Sequence, residues 1–160
     1  MNLEVKNLIK KFKSTTAVNN ISFKVEKNKT LGLLGPNGCG KTTSIGMMLG
    51  LINPTSGKIL IDGIELKPTN RIELLSLMNF ASPYIELPKK LTVKQNLKVY
   101  ARLYGIKKIE LRVNEMIEDL SLNKFVNKKT GELSSGQKNR VALAKSLINK
   151  PRLLFLDEPT

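Results

Sequence analysis

An α/β fold is what the 160-residue sequence predicts, and three stretches predict it. Leu31-Gly32-Leu33-Leu34 is a short apolar run that feeds the glycine-rich stretch Gly35-Pro36-Asn37-Gly38-Cys39-Gly40-Lys41-Thr42, which opens a helix-like segment over residues 43–49. Ile21-Ser22-Phe23-Lys24-Val25 alternates apolar and polar residues, as a half-buried strand does. Near the end, Leu153-Leu154-Phe155-Leu156 is a continuous apolar run, the pattern of a strand buried on both faces, and it leads into the carboxylates Asp157 and Glu158.

The first of these stretches reads G-x-x-x-x-G-K-[ST] between an apolar strand and a helix, the context in which this motif signals a phosphate loop. Glycines at 35, 38 and 40 permit positive φ and close backbone approach, so successive N–H groups can converge on an anion at a helix N-terminus. Lys41 is placed to reach β- and γ-phosphates as a point charge, and the Thr42 hydroxyl to ligate Mg²⁺. The candidate nucleotide-binding residues are therefore Gly35, Pro36, Asn37, Gly38, Cys39, Gly40, Lys41, Thr42 and Thr43.

The rest of the chain falls into place around that loop. Leu3 to Phe12 alternates at its start and is expected to pair with the strand ending at Val25. Asn53-Pro54 disfavours helical geometry, so the helix after the loop should stop near Ile52, and Lys58-Ile59-Leu60-Ile61 reads as a further strand. From about Arg71 to Leu122 the pattern turns helical. Thr92 can cap a helix over residues 93–104 that ends at Gly105, and a second helix is expected over 109–120. Phe80-Ala81-Ser82-Pro83-Tyr84-Ile85-Glu86-Leu87-Pro88 reads as a proline-flanked loop entering this block. Ser134 and Gln137 have capping-box spacing ahead of a helix over residues 138–148.

Composition narrows the chemistry. A single cysteine, Cys39, allows no internal disulfide, and the absence of histidine removes the commonest transition-metal ligand, so metal chemistry is expected to be oxygen-ligated Mg²⁺. The net charge of +14 invites a nucleic-acid reading, but it comes as scattered lysines with only 5% aromatics, which argues instead for a lysine-rich solvated surface and against a nucleic-acid partner. No apolar run approaches the length of a membrane span, and Met1-Asn2-Leu3-Glu4-Val5-Lys6 lacks a secretory pattern, so a cytoplasmic location is expected.

With the carboxylates added, the parts are those of nucleotide hydrolysis: lysine on phosphate, hydroxyl on Mg²⁺, one carboxylate holding that Mg²⁺ and a second positioning water. No Asn-Lys-x-Asp base-reading motif follows the loop, so adenine fits better than guanine. At this point the sequence resembles the nucleotide-binding domain of the ATP-binding cassette (ABC) family. Residues 35–42 match its phosphate loop, Leu133-Ser134-Ser135-Gly136-Gln137 its signature, and residues 153–158 its magnesium strand with the catalytic glutamate. The order and spacing match as well, from about Leu3 to Thr160.

The resemblance implies a P-loop NTPase fold with an ABC-type core sheet, an antiparallel β subdomain and an inserted helical subdomain. Its parts would be 1–70 for the β and phosphate-loop core, 71–130 for the helical subdomain with flanking loops, and 131–160 for the signature helix and magnesium strand. The same resemblance implies ATP and Mg²⁺ as cofactors, Thr42 and Asp157 toward the metal, and Lys41 and Glu158 as catalytic. Phe12 would stack on adenine, and Ser134, Ser135, Gly136 and Gln137 would meet a nucleotide bound to a second, head-to-tail domain. The helical block would engage an integral membrane subunit on the inner face of the cell membrane.

Two departures stand out against that pattern. Pro83 occupies the position where the family carries a loop glutamine, and Gln95 lies further on, inside the expected helix. The sequence given stops at Thr160, just past the catalytic glutamate, so the strands and switch histidine that the family carries beyond it are expected to be missing, and turnover by this chain to be impaired or absent. The functional expectation is the ATPase subunit of a transporter, most like a single-domain exporter. Its alternative is a soluble non-transport cassette acting on ribosomes or nucleic acid.

Overall fold

The alternating residues at the start of the chain form a hairpin of two long strands, β1 (Leu3–Phe12) and β2 (Thr15–Val25), paired antiparallel from Leu3 opposite Val25 to Phe12 opposite Thr15. This computed structural model describes residues 1–82 and 87–157 and divides into two units, Met1–Leu75 and Ser76–Thr160. In the first unit, β3 (Ser56–Ile61) pairs antiparallel with the other edge of β1, and the short β4 (Ile64–Glu65) completes a sheet of order β2-β1-β3-β4. Leu3, Val5 and Leu8 of β1 are buried with Ile59 and Ile61 of β3, as are Ile45, Met47 and Met48 of the helix α1 (Lys41–Met48), which lies against β2. Burying such side chains is the main favourable term in holding sheet and helix together.

Two expectations for this unit are corrected. Among the described residues, 31–34 form no strand: Leu31 is exposed and Leu34 is 94% exposed. A strand exists through its neighbour's hydrogen bonds, and the β2-β1-β3-β4 sheet includes no ladder to this segment. Helix α1 also stops earlier than Asn53-Pro54 suggested. Gly50, at φ +63°, donates its N–H to Met47 O (2.9 Å), while Leu51 donates to Gly46 O (2.9 Å), so a left-handed glycine closes the helix after Met48.

The second unit carries the helical block. After α2 (Arg71–Ser76), which straddles the division, the chain forms the strand β5 (Met78–Ala81), then α3 (Val93–Leu103), α4 (Ile109–Asp119), α5 (Ser135–Leu147) and β6 (Leu153–Leu156). Val93, Leu97 and Ala101 of α3, Val113, Met116 and Ile117 of α4, and Val141 and Ala144 of α5 form its core. Strand β5 was not foreseen; its first residues fall in the stretch read as helical and its last two in the loop beginning at Phe80. It runs parallel to β6, Met78 opposite Leu153 and Ala81 opposite Leu156. Among the described residues β6 pairs with β5 alone, so the expected burial on both faces is also corrected: Phe155 is buried, Leu153 and Leu154 are half-buried, and Leu156 is 42% exposed.

Candidate functional site

The phosphate loop lies in the first unit and takes the form its glycines predict. Gly38 and Gly40 have φ of +82° and +94°, and Gly40 is the residue from which α1 starts. A Cβ at Gly40 would stand 2.2 Å from the carbonyl oxygen of Ala17 on β2, so the loop can press this closely on the sheet only as glycine. Lys41 folds back over the loop, donating to Gly35 O (2.7 Å) and Pro36 O (2.9 Å), with its Nζ 3.9 Å from Cys39 Sγ. Its ammonium is thus fixed beside residues 35–39. Thr42 and Cys39 are exposed, and Thr43 is half-buried.

The N-terminus of α1 is the informative part. Helices α3 and α5 both start with full capping boxes, Thr92 with Gln95 and Ser134 with Gln137. By contrast, α1 has no side-chain cap and no acidic residue in its first turn. Its leading N–H groups therefore lack a side-chain acceptor, in a helix whose dipole favours an anion there.

Phe12 closes β1 at the hairpin and is 47% exposed, so it is no core residue. The β ladder places Lys11 opposite Thr16 and Lys10 opposite Val18, next to the Ala17 on which Gly40 packs. Phe12 and the phosphate loop thus share the same end of β2. The sequence reads Lys10, of the pair Lys10-Lys11, as one of its scattered surface lysines, although residues two apart on a strand share a face. Its Nζ sits 4.9 Å from the Phe12 ring centroid and donates to Asn53 O (2.7 Å).

The signature and the carboxylates belong to the second unit. Ser134 accepts from Gln137 N–H (3.3 Å) and Gln137 Oε1 accepts from Ser134 N–H (3.0 Å), while Ser134, Ser135 and Gly136 are exposed. Asp157, half-buried, follows β6 and donates its N–H to Ala81 O (2.9 Å). Glu158 and Pro83 lie outside the described residues. Gln95 spends its side chain on capping, its Oε1 accepting from Thr92 N–H at 2.8 Å. Arg112, which the sequence did not single out, donates to Ile148 O (3.0 Å) and Leu147 O (2.5 Å) and so clamps the last turn of α5.

Loop, uncapped helix and β hairpin define an α/β protein of the P-loop class. The ABC transporter family profile matches residues 18–160, and the chain belongs to that family. It is 38% identical over 162 residues to the spermidine/putrescine import ATP-binding protein PotA of Chromobacterium violaceum, covering 98% of this chain and 44% of that protein. To the probable multidrug ABC transporter ATP-binding protein YbhF of Escherichia coli K12 it is 39% identical over 160 residues, covering 99% of this chain and 28% of that one. Among solved structures, the dimeric ATP-binding cassette MJ0796 in a post-hydrolysis state bound to ADP and Pi matches at TM-score 0.84 and 26% identity, over 99% of this chain and 74% of that one. The chain spans less than half the length of these curated relatives.

Proposed function

We propose that residues 35–43 bind the phosphates of ATP with Mg²⁺, and that the chain is the ATP-binding part of a transport ATPase. The observation that carries this reading is the bare N-terminus of α1, which begins with Lys41 after left-handed glycines; α3 and α5 cap themselves fully, and α4, also uncapped, has Glu110 in its first turn where α1 has no acidic residue. Gly35, Gly38, Gly40 and the loop backbone would cradle the phosphates, Lys41 would exchange its loop carbonyls for phosphate oxygens, and the exposed Phe12 would stack on adenine.

The donor set suits Mg²⁺. Among the described residues no group of three or more acidic, cysteine or histidine side chains clusters to hold a metal alone. Mg²⁺ in nucleotide sites asks for one or two protein oxygens besides the phosphates; the exposed Thr42 hydroxyl can offer one, and the family resemblance gives Asp157 the role of the other. Bound there, it would neutralise charge on the phosphates, while Glu158 would polarise the attacking water.

Exposed small residues at the start of α5 support a second role. Ser134, Ser135 and Gly136 would meet ATP held by another such domain, and closure of the pair would be driven by nucleotide. The helical block of the second unit would face a membrane subunit at the inner surface of the cell membrane. Relatives named for import and for multidrug transport match about equally, so the proposal concerns the shared ATP-driven engine rather than export in particular.

The test is the thermal unfolding midpoint of the chain with and without Mg-ATP, alongside Lys41→Ala. A ligand that binds only the folded state adds about 2.7 kcal/mol at a hundredfold excess over Kd. A rise that Lys41→Ala abolishes is expected; no rise at millimolar Mg-ATP would overturn the reading.

A further inference from the structure

One cationic side chain near the loop has no role in the proposal above. Lys10 does not extend into solvent as a surface lysine ordinarily does. Its Nζ is tethered to Asn53 O (2.7 Å) and lies 4.9 Å from the Phe12 centroid, within cation–π range. With Lys10 over the ring, Phe12 still keeps 47% of its surface open. A cation fixed on one face of a benzene ring draws π density toward itself, which leaves the opposite face less negative and a better platform for an electron-rich purine.

We infer that Lys10 is a positioning and specificity residue of the base site: it covers one face of Phe12, so that the ring takes a single planar base on the other. The inference rests on the ATP-site reading and adds the way in which the base, as distinct from the phosphates, is held. The tether to Asn53 fixes where the ammonium stands, and the two-residue spacing along β1 keeps it on the ring's side of the strand.

The contrast between ATP and inorganic tripolyphosphate isolates the base. Both carry the chain of phosphates, and only ATP has a base to stack. Calorimetric titration of the 160-residue chain with each ligand, in the presence of Mg²⁺, is compared for the wild type, Lys10→Met, Lys10→Arg, Phe12→Ala and the double variant Lys10→Met/Phe12→Ala. Methionine keeps the apolar stem and removes the charge, and thermal midpoints without ligand report folding. Lys10→Met is expected to weaken ATP binding by about two- to fivefold, the size of a loosened aromatic stacking contact, and to leave tripolyphosphate unchanged. Arginine should restore ATP binding, and in the Phe12→Ala background the loss of Lys10 should have no further effect.

Equal weakening of both ligands would make Lys10 a general attractor of phosphate and overturn the inference, as would an undiminished ATP affinity in Lys10→Met. A persistent Lys10 effect without Phe12 would overturn it too. Wild-type chain that binds neither ligand would instead overturn the ATP-site reading, and the inference with it.

Discussion

Gly40 and Gly136 are both glycines of the expected nucleotide motifs, yet the structure gives them opposite reasons for being glycine. Gly40 has a left-handed backbone and no room: a Cβ there would meet Ala17 O at 2.2 Å and Val18 Cγ2 at 3.1 Å. Gly40→Ala is expected to cost at least about 1–3 kcal/mol, read from urea unfolding, because both strain and contact oppose it. Gly136 meets nothing within 4 Å and sits in the first turn of α5. Gly136→Ala should be neutral, or stabilising by up to about 1 kcal/mol from helix propensity. A loss of nucleotide-driven self-association, read by analytical ultracentrifugation with Mg-ATP, without loss of stability would then mean that the glycine serves a neighbour. Cys39 gives a third test at this scale, being exposed and 3.9 Å from the Lys41 ammonium. Mg-ATP is expected to slow its alkylation by iodoacetamide, and equal labelling with and without nucleotide would place Cys39 away from the site. The sequence made these residue types legible through spacing alone. It could not show that Gly40 leans on Ala17, 23 positions away, or that Lys10 reaches across Phe12, because such contacts depend on how β1, β2 and the loop pack.

Among the elements, those specified by near neighbours were the legible ones. Thr92 as a cap and Ser134 with Gln137 are local signals: α3 starts at Val93 as expected, while α5 starts at Ser135, directly after its cap and three residues ahead of the expected 138. Residues 31–34 and β5 were misread for the opposite reason, since a strand is specified by a partner far off in sequence. One helix end shows a local fault that invites correction. After α4, Ser121 takes φ +52° while donating to Glu118 O (3.1 Å), with Leu122 donating to Ile117 O (2.8 Å), the closing geometry in which glycine is preferred. Ser121→Gly is expected to stabilise the chain by about 0.5–1 kcal/mol in denaturant unfolding, by relieving the left-handed strain. Helix α4 also supplies a pH-dependent contact. Glu115 is held below the usual carboxylate range by its hydrogen bond from Arg112 (2.7 Å), with Lys150 (3.7 Å) adding attraction and desolvation opposing. Because the folded value is the lower one, the stabilisation is present above the ordinary value of 4.5 and is lost as pH falls through the depressed one. Wild type should therefore exceed Glu115→Gln in unfolding midpoint at pH 7, and the difference should shrink below about pH 4.5.

At the scale of the whole molecule, the +14 charge has to be reconciled with the proposed site for a single polyphosphate. The charge is shared between the units, with eleven Lys and Arg against five Asp and Glu in residues 1–75, and sixteen against eight beyond. Such a spread raises the potential over the entire surface and attracts any polyanion, but it carries no pattern that would select nucleic acid. Mg-ATP bound as proposed would differ, because the helix N-terminus and Lys41 would act at contact distance, where salt screens less than it does between separated surface charges. The two kinds of binding should therefore separate as salt rises. A 20-nucleotide RNA is expected to bind at about 20 mM salt and to lose most of its affinity by about 0.2 M, with a steep slope of log K against log salt, whether or not Lys41 is present. Mg-ATP affinity should fall far less over the same range and vanish in Lys41→Ala. RNA affinity that survived about 0.5 M salt would mean that the lysines form a built nucleic-acid surface, and would move this chain from the transport cassettes toward those that work on ribosomes or nucleic acid.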